Sequence, residues 1–232
     1  MHTLEGEERP VLTFGLEQGD VRAANLAWNR GLPSFDVVYR GDVFTHVALR
    51  VPGEHNVKNA LAAAACALVL GATDTAVGEG LLTFRPLEHR IEPVRVLDGV
   101  TYYNDSIGTS PTRTIAGLRS FDQKVILIAG GYDKHIPYEP LAPEITAHVK
   151  NLVLMGATGP RIEKAVREDP NFNEAELPIQ HADNMQHAVE LARACAKPGD
   201  IIILSPASAS FDLYPNFEVR GREFKSIVNA LK

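Results

Sequence analysis

Three short polar stretches each place hydroxyls, an acid or a lysine directly after an apolar run. Asn104-Asp105-Ser106-Ile107-Gly108-Thr109-Ser110 follows the aromatic run ending at Tyr103 and precedes Pro111. An acid, hydroxyls and a glycine between a strand and a helix put a carboxylate and free amides at the strand's carboxyl end, where open α/β sheets bind ligands. Ser110 suits the helix N-cap and Pro111 the first turn. Gly130-Gly131-Tyr132-Asp133-Lys134 follows Val125 to Ile128, so Lys134 projects at the same edge, a point charge for a carboxylate or phosphate. Ser205-Pro206-Ala207-Ser208-Ala209-Ser210-Phe211 follows Ile201 to Leu204, and small hydroxylated residues with exposed amides suit oxyanion or carboxylate capture. Each stretch also fits a plain connecting loop, and Lys134 a solvated turn lysine.

Other chemistries find little support. The spacing G-x-x-x-x-G-K-[ST] of a P-loop occurs nowhere, and no G-x-S-x-G elbow points to a serine hydrolase. His55 and His89 lack a metal-ligand spacing and read as solvent-facing or helix-start residues, so no metal site is expected in the chain. Asn56 and Asn59 share one face of a helix, where they either touch a ligand or cap the helix.

These residues need elements to hold them. The chain has 232 residues, 45% hydrophobic and 22% charged, with a net charge of −6. That is ordinary for a globular protein and argues against nucleic-acid or membrane partners. The two cysteines, Cys66 and Cys195, sit in apolar helical patterns as free thiols, and no apolar run reaches spanning length. Met1 to Leu4 lacks the features of a signal peptide, which implies a cytoplasmic protein. Strands are expected at 11–15, 37–39 and 44–51, with Arg40-Gly41-Asp42 as a hairpin turn. Helices follow at 55–70, closed by Gly71, and at about 75–84. Arg85-Pro86-Leu87 breaks the pattern and marks a domain boundary. The opening portion alone is too small to bury a complete core.

Beyond the boundary, strands at about 91–97, 100–104, 124–129, 151–155 and 200–204 alternate with helices near 111–119, 139–149, 159–168 and 184–196. A last helix covers about 217–231. Thr158 and Asp183 are the expected N-caps, the latter with Gln186 as a capping-box partner. The continuously apolar strands imply a doubly wound, mostly parallel Rossmann-like sheet in an α/β domain.

Taken together, the stretches resemble one family, the Mur ligases, and within it the members that add D-glutamate. The residues that carry the resemblance are Gly53-Glu54-His55-Asn56-Val57-Lys58-Asn59-Ala60, Glu88-His89-Arg90, Asn104-Asp105-Ser106, Gly130-Gly131 with Lys134, and Ser205-Pro206-Ala207-Ser208-Ala209-Ser210-Phe211 with Asn216-Phe217-Glu218 and Arg220-Gly221. Their order and spacing match from about Leu12 onward. The resemblance implies ATP-driven amide formation in peptidoglycan synthesis, with D-glutamate joined to UDP-N-acetylmuramoyl-L-alanine through an acyl phosphate. It implies Asn56 and Asn59 beside the adenine, Arg90 at the nucleotide phosphates and Asp105 at the ribose hydroxyls. Thr109, Lys134, Ser210, Phe211 and Phe217 would form the D-glutamate pocket, with Lys134 and Arg90 closest to the chemistry. One departure stands in the central turn, where the family's common pattern has lysine and this chain has Ile107.

The resemblance also implies that residues 1–87 are the C-terminal part of a central ATP-binding domain and 88–232 the amino-acid-binding domain. The P-loop and the Mg2+ ligands would lie in a part this sequence lacks, leaving the chain, a monomer, inactive alone. A folylpolyglutamate-synthase-like ligase and a non-catalytic nucleotide- or amino-acid-binding module are the alternatives.

Overall fold

The computed structural model describes residues 11–29, 31–85 and 87–232, which divide into one unit ending at Arg85 and another running to Lys232. The first unit holds β1 (Phe14–Gly15), β2 (Val21–Asn29), β3 (Leu32–Tyr39) and β4 (Asp42–Ala48) in one sheet of that order, followed by α1 (Glu54–Val69) and α2 (Asp74–Thr83). Tyr39 pairs with Asp42, so Arg40 and Gly41 (φ 50° and 101°) make the two-residue hairpin the sequence suggests. The α1 stripe of Val57, Ala60, Leu61, Ala64 and Ala65 is buried with Phe35, Val37 and Val47 from the sheet. Gly71 closes α1 as expected: its N–H donates to Leu68 O (3.0 Å) and that of Ala72 to Ala67 O (3.0 Å).

Two strands of the first unit differ from expectation. The strand expected at 11–15 forms only at Phe14–Gly15, and β2 is a strand the sequence did not announce. Alanine and asparagine are poor strand formers, but β3 offers an antiparallel partner and a bulge between Ala24 and Ala27 takes up the irregularity.

The second unit follows the anticipated alternation: β5 (Glu92–Leu97), β6 (Val100–Asn104), α3 (Pro111–Leu118), β7 (Val125–Ala129), α4 (Ala142–His148), β8 (Val149–Met155), α5 (Gly159–Arg167), β9 (Ile179–Ala182), α6 (Met185–Ala194), β10 (Ile201–Leu204) and α7 (Phe217–Ala230). β9 is a second unannounced strand, four residues long at the sheet edge. The order is β5-β6-β10-β7-β8-β9, parallel except for β5 against β6. Residues of α3, α4 and α5 pack on one face around Leu127 and Leu152, and those of α6 and α7 on the other around Ile126 and Ile202. This is the doubly wound α/β sheet the apolar strands imply, and β7 and β10 are buried throughout.

Three caps differ from expectation. The α6 N-cap is Asn184, whose side chain accepts from His187 N (2.9 Å), not Asp183; Gln186 instead donates to Glu190 (2.7 Å). Ser110 and Thr158 stand at N-cap positions, but neither hydroxyl caps its helix. Thr158 turns inward and Ser110 meets Thr112 Oγ1 at 3.2 Å.

Candidate functional site at the carboxyl edge of the sheet

Because β10 lies between β6 and β7, the loops leaving these three strands are neighbours. Arg220 on α7 binds two of them together. Its guanidinium is 2% exposed and donates to Ser106 Oγ (3.0 Å) and Ser106 O (2.9 Å) on the β6 side. On the β10 side it donates to Ser208 O (3.2 Å) and Ala209 O (3.0 Å). Ser106 Oγ in turn donates to Phe217 O (2.8 Å) at the start of α7. Burial lowers the Arg220 pKa to about 10, so the group keeps its charge at neutral pH, held by carbonyl dipoles and facing Asp212 and Asp105 at longer range.

The loop after β7 is locked to the same centre. Gly131 N donates to Thr158 Oγ1 (2.9 Å), Thr158 and Tyr138 both meet Ser208 Oγ at 2.8 Å, and Tyr132 N donates to Ala209 O (2.9 Å). No side chain fits at this crossing. A Cβ on Gly130 would stand 2.0 Å from Met155 O, and one on Gly131 2.2 Å from Ala209 O. Asp133, paired with the Arg161 guanidinium through both carboxylate oxygens, accepts from His135 N at 2.7 Å and so pins the backbone on both sides of Lys134. Lys134 itself is exposed, as are Tyr132 and Phe211, whose rings meet edge to face at 6.0 Å.

Arg90 is displayed by a strained turn. His89 and Ile91 on either side of it have φ of 67° and 43°, and Ile91 is β-branched, for which that region is costly. The turn is held by His89 N to Glu92 Oε2 (2.9 Å), Ile91 N to Asp105 Oδ1 (3.2 Å) and Ile107 N to His89 O (3.1 Å). His89 is buried, contrary to its expected solvent-facing role. Asn104 Nδ2 donates to its Nδ1 (2.8 Å), so the proton sits on Nε2, and burial draws its pKa below the ordinary value.

Asp105 also departs from expectation. Its carboxylate is 4% exposed, with Oδ1 taken by Ile91 N and Oδ2 by the Ser205 hydroxyl (2.7 Å). Burial raises its pKa to about 6, against the lowering effect of those bonds and of Arg90 and Arg113. With both oxygens already bonded, the carboxylate holds the Arg90 turn and offers no free acceptor of the kind expected for ribose hydroxyls. The exposed amides foreseen after β10 are likewise spent internally, Ser205 N on Ile128 O (3.1 Å) and Ala207 N on Thr114 Oγ1 (3.0 Å), and so is Gly130 N after β7, on Pro206 O (2.8 Å). The Ser210 hydroxyl, by contrast, forms no hydrogen bond among the described residues, and Thr109 is half-buried on the turn before α3. Phe217 is partly buried, 6.0 Å from the His89 ring.

The loops that carry Asp105, Lys134 and Ser210 thus share one edge, with Lys134 exposed and the other two enclosed. Arg220, Thr158, Ser208 and Tyr138 are the residues that assemble it. Of these, Ser208 and Arg220 stand in stretches that carry the family resemblance, Thr158 was expected only as a cap, and Tyr138 was not singled out; Arg220 lies on the buried side of α7 with Gly221, Phe224 and Val228.

In the first unit, Asn56 and Asn59 line a cavity of about 110 Å³ walled by Leu49, Val51, Ala60 and Phe84. Asn56 Nδ2 donates to Pro52 O (2.7 Å) and Asn59 Nδ2 to Asn56 Oδ1 (3.3 Å). Apolar walls with convergent amides suit a flat heterocycle.

Comparison with known proteins agrees with this layout. Residues 89–208 match the family described as Mur ligase, glutamate ligase domain, and residues 1–67 the Mur ligase middle domain. UDP-N-acetylmuramoylalanine--D-glutamate ligase of Symbiobacterium thermophilum is 48% identical over 217 residues, covering 94% of this chain and 46% of that protein. The enzyme of the same name from Acetivibrio thermocellus is 46% identical over 246 residues, covering 97% of the chain and 53% of that protein. The chain therefore spans about half the length of the relatives it matches. Among solved structures, UDP-N-acetylmuramate-alanine ligase of Thermotoga maritima superposes with a TM-score of 0.70 over 95% of this chain and 48% of its own, at 19% identity, a likeness of fold.

Proposed function

The chain belongs to the Mur ligase family, and from that premise we propose that it is part of an ATP-dependent amide ligase joining D-glutamate to UDP-N-acetylmuramoyl-L-alanine in cytoplasmic peptidoglycan synthesis. Residues 1–87 are then the C-terminal part of the central domain and 88–232 the amino-acid-binding domain. The observation that carries this reading is the shared edge, where the neighbouring loops after β7 and β10 hold an exposed lysine, two exposed aromatic rings and a serine hydroxyl that forms no hydrogen bond among the described residues.

In this scheme the carboxylate of UDP-N-acetylmuramoyl-L-alanine is phosphorylated, and the amine of D-glutamate attacks the acyl phosphate and expels phosphate. Lys134 neutralises a D-glutamate carboxylate, while Ser210 and Thr109 orient it and Phe211 and Phe217 flank it. Arg90 meets phosphoryl oxygens, held in place by Asp105. Asn56 and Asn59 flank the adenine, which the apolar cavity walls fit. This reading assigns no Mg2+ ligands among the described residues. Glu88, His89 and Glu92 do cluster, but Lys225 Nζ already bridges Glu88 (3.1 Å) and Glu92 (2.6 Å).

The test is an assay of the full-length reading frame that carries this chain, with ATP, D-glutamate and UDP-N-acetylmuramoyl-L-alanine. Transfer of D-glutamate to that acceptor is expected, and none by residues 1–232 alone. Transfer of glutamate to a folate acceptor instead would refute the assignment.

A further inference from the structure

Most cations of the second unit are committed to a carboxylate or to carbonyl oxygens. Arg119 pairs with Glu144, Lys150 with Asp200, Arg161 with Asp133, and Lys225 with Glu88 and Glu92. Three at the carboxyl edge are not. The side chains of Arg90, Arg113 and Lys134 form no ion pair or hydrogen bond among the described residues, and all three are exposed. The remaining unpaired cations of this unit, Lys197 and Lys232, lie away from that edge, before β10 and after α7. Three free cations at one edge is an unusual distribution in a chain of net charge −6.

Arg113 is the member of this set that no reading has yet used. It lies in the first turn of α3, with its N–H donating to Ser110 O (3.1 Å), while Thr114, Gly117 and Leu118 supply the buried side of that helix. The helix begins six residues after Asp105, whose carboxylate sits beneath Gly108 and receives the Ile91 N–H from the Arg90 turn. Arg90 and Arg113 thus stand on two different elements that flank the same enclosed carboxylate, the turn through Ile91 N and α3 through Gly117, and both charges depress its pKa. Asp105, already bonded through both oxygens, neutralises neither by contact. Two exposed guanidinium groups left without partners, one of them on a strained turn, are arranged for oxygens that come from outside.

We infer that Arg113 is an anion-binding residue and that, with Arg90, it grips a phosphate group over the Asn104-Asp105-Ser106 turn. The inference rests on the ligase reading above and adds to it a residue and its ligand class. Planar guanidinium forks take phosphate oxygens two at a time, which a lysine cannot do.

The experiment is titration of the 232-residue chain with inorganic pyrophosphate, followed by NMR at low and at raised salt, in the wild type and in R113Q, R113K and K197Q. Because Arg113 is exposed, R113Q retains the fold, which a thermal melt checks. R113Q is expected to weaken binding about fivefold and to flatten its salt dependence, R113K to recover part of the loss, and K197Q to bind like the wild type. Binding by R113Q equal to the wild type overturns the inference. So does an equal loss in K197Q, which signals diffuse charge, and so does a wild type that takes no pyrophosphate. The ligase reading is judged separately: transfer of D-glutamate by the full-length protein, with pyrophosphate affinity unmoved in R113Q, removes this inference alone. Loss of affinity in R113Q without any such transfer removes the ligase reading alone.

Discussion

Replacing Asp105 with asparagine should change how stability depends on pH, and the sign is fixed by the site. Burial raises this carboxyl from an ordinary 3.8 to about 6, so the folded chain keeps its proton across a range in which the unfolded chain has released it. Stability from the retained proton is present in full below about pH 4 and is lost as the pH climbs through about 6. The loss is roughly 3 kcal/mol at about 1.4 kcal/mol per pH unit. Asparagine cannot titrate, yet it can keep the contacts. Its carbonyl accepts from Ile91 N, and its amide donates to Ser205 Oγ once that hydroxyl turns to Thr114 Oγ1, 3.0 Å away. The D105N chain should therefore gain on the wild type by roughly 2.5 kcal/mol between pH 4 and pH 7. Urea unfolding at several pH values measures this. The only tryptophan, Trp28, reports on the first unit, so the second must be followed through its tyrosines. A difference between the two chains that stays constant from pH 4 to pH 7, or that shrinks, would refute the account of a carboxyl enclosed by the fold.

Three further outcomes are expected. Arg220→Lys keeps the charge but cannot reach the acceptors on both loops, leaving buried carbonyls bare; a loss of about 2–4 kcal/mol in denaturant midpoints is expected. Gly131→Ala drives a methyl group against Ala209 O at a backbone φ of +148°, so about 3 kcal/mol or more should be lost, or the soluble yield should collapse. Arg161→Ala breaks an exposed ion pair worth at most about 1 kcal/mol, so the melting temperature should hardly move. Its effect should appear in D-glutamate affinity of the full-length protein, because Asp133, which still receives His135 N, loses its anchor to α5.

Sequence patterns were most informative where one physical rule acts alone. The apolar runs at Val125 and Ile201 mark strands covered on both faces, and Gly71 marks a helix end. They failed where a partner distant in the chain decides. Val21–Asn29 is extended because β3 pairs with it, and Ile179–Ala182 because β8 lends it an edge. Lys134, Ser210 and Thr109 could be nominated from their place after apolar runs. What those loops do with their amides and hydroxyls could not be, since Thr158, Tyr138 and Arg220 reach them across long stretches of chain. The same holds for Asp105, whose partners Ile91 and Ser205 lie 14 and 100 residues away.

The position of β10 governs the order in which the second unit can be assembled. β6 and β7 are not partners; each hydrogen-bonds to β10, which leaves the ribosome about a hundred residues after β6. Until Ile201–Leu204 has been made, both strands present unpaired apolar edges, a template for pairing with other chains. Arg220, which clips the loops together, emerges later still. Nascent chains stalled before β10 should therefore depend on chaperones, and clipping off α7 should unfasten the loops after β6 and β10 from each other while sparing the first unit.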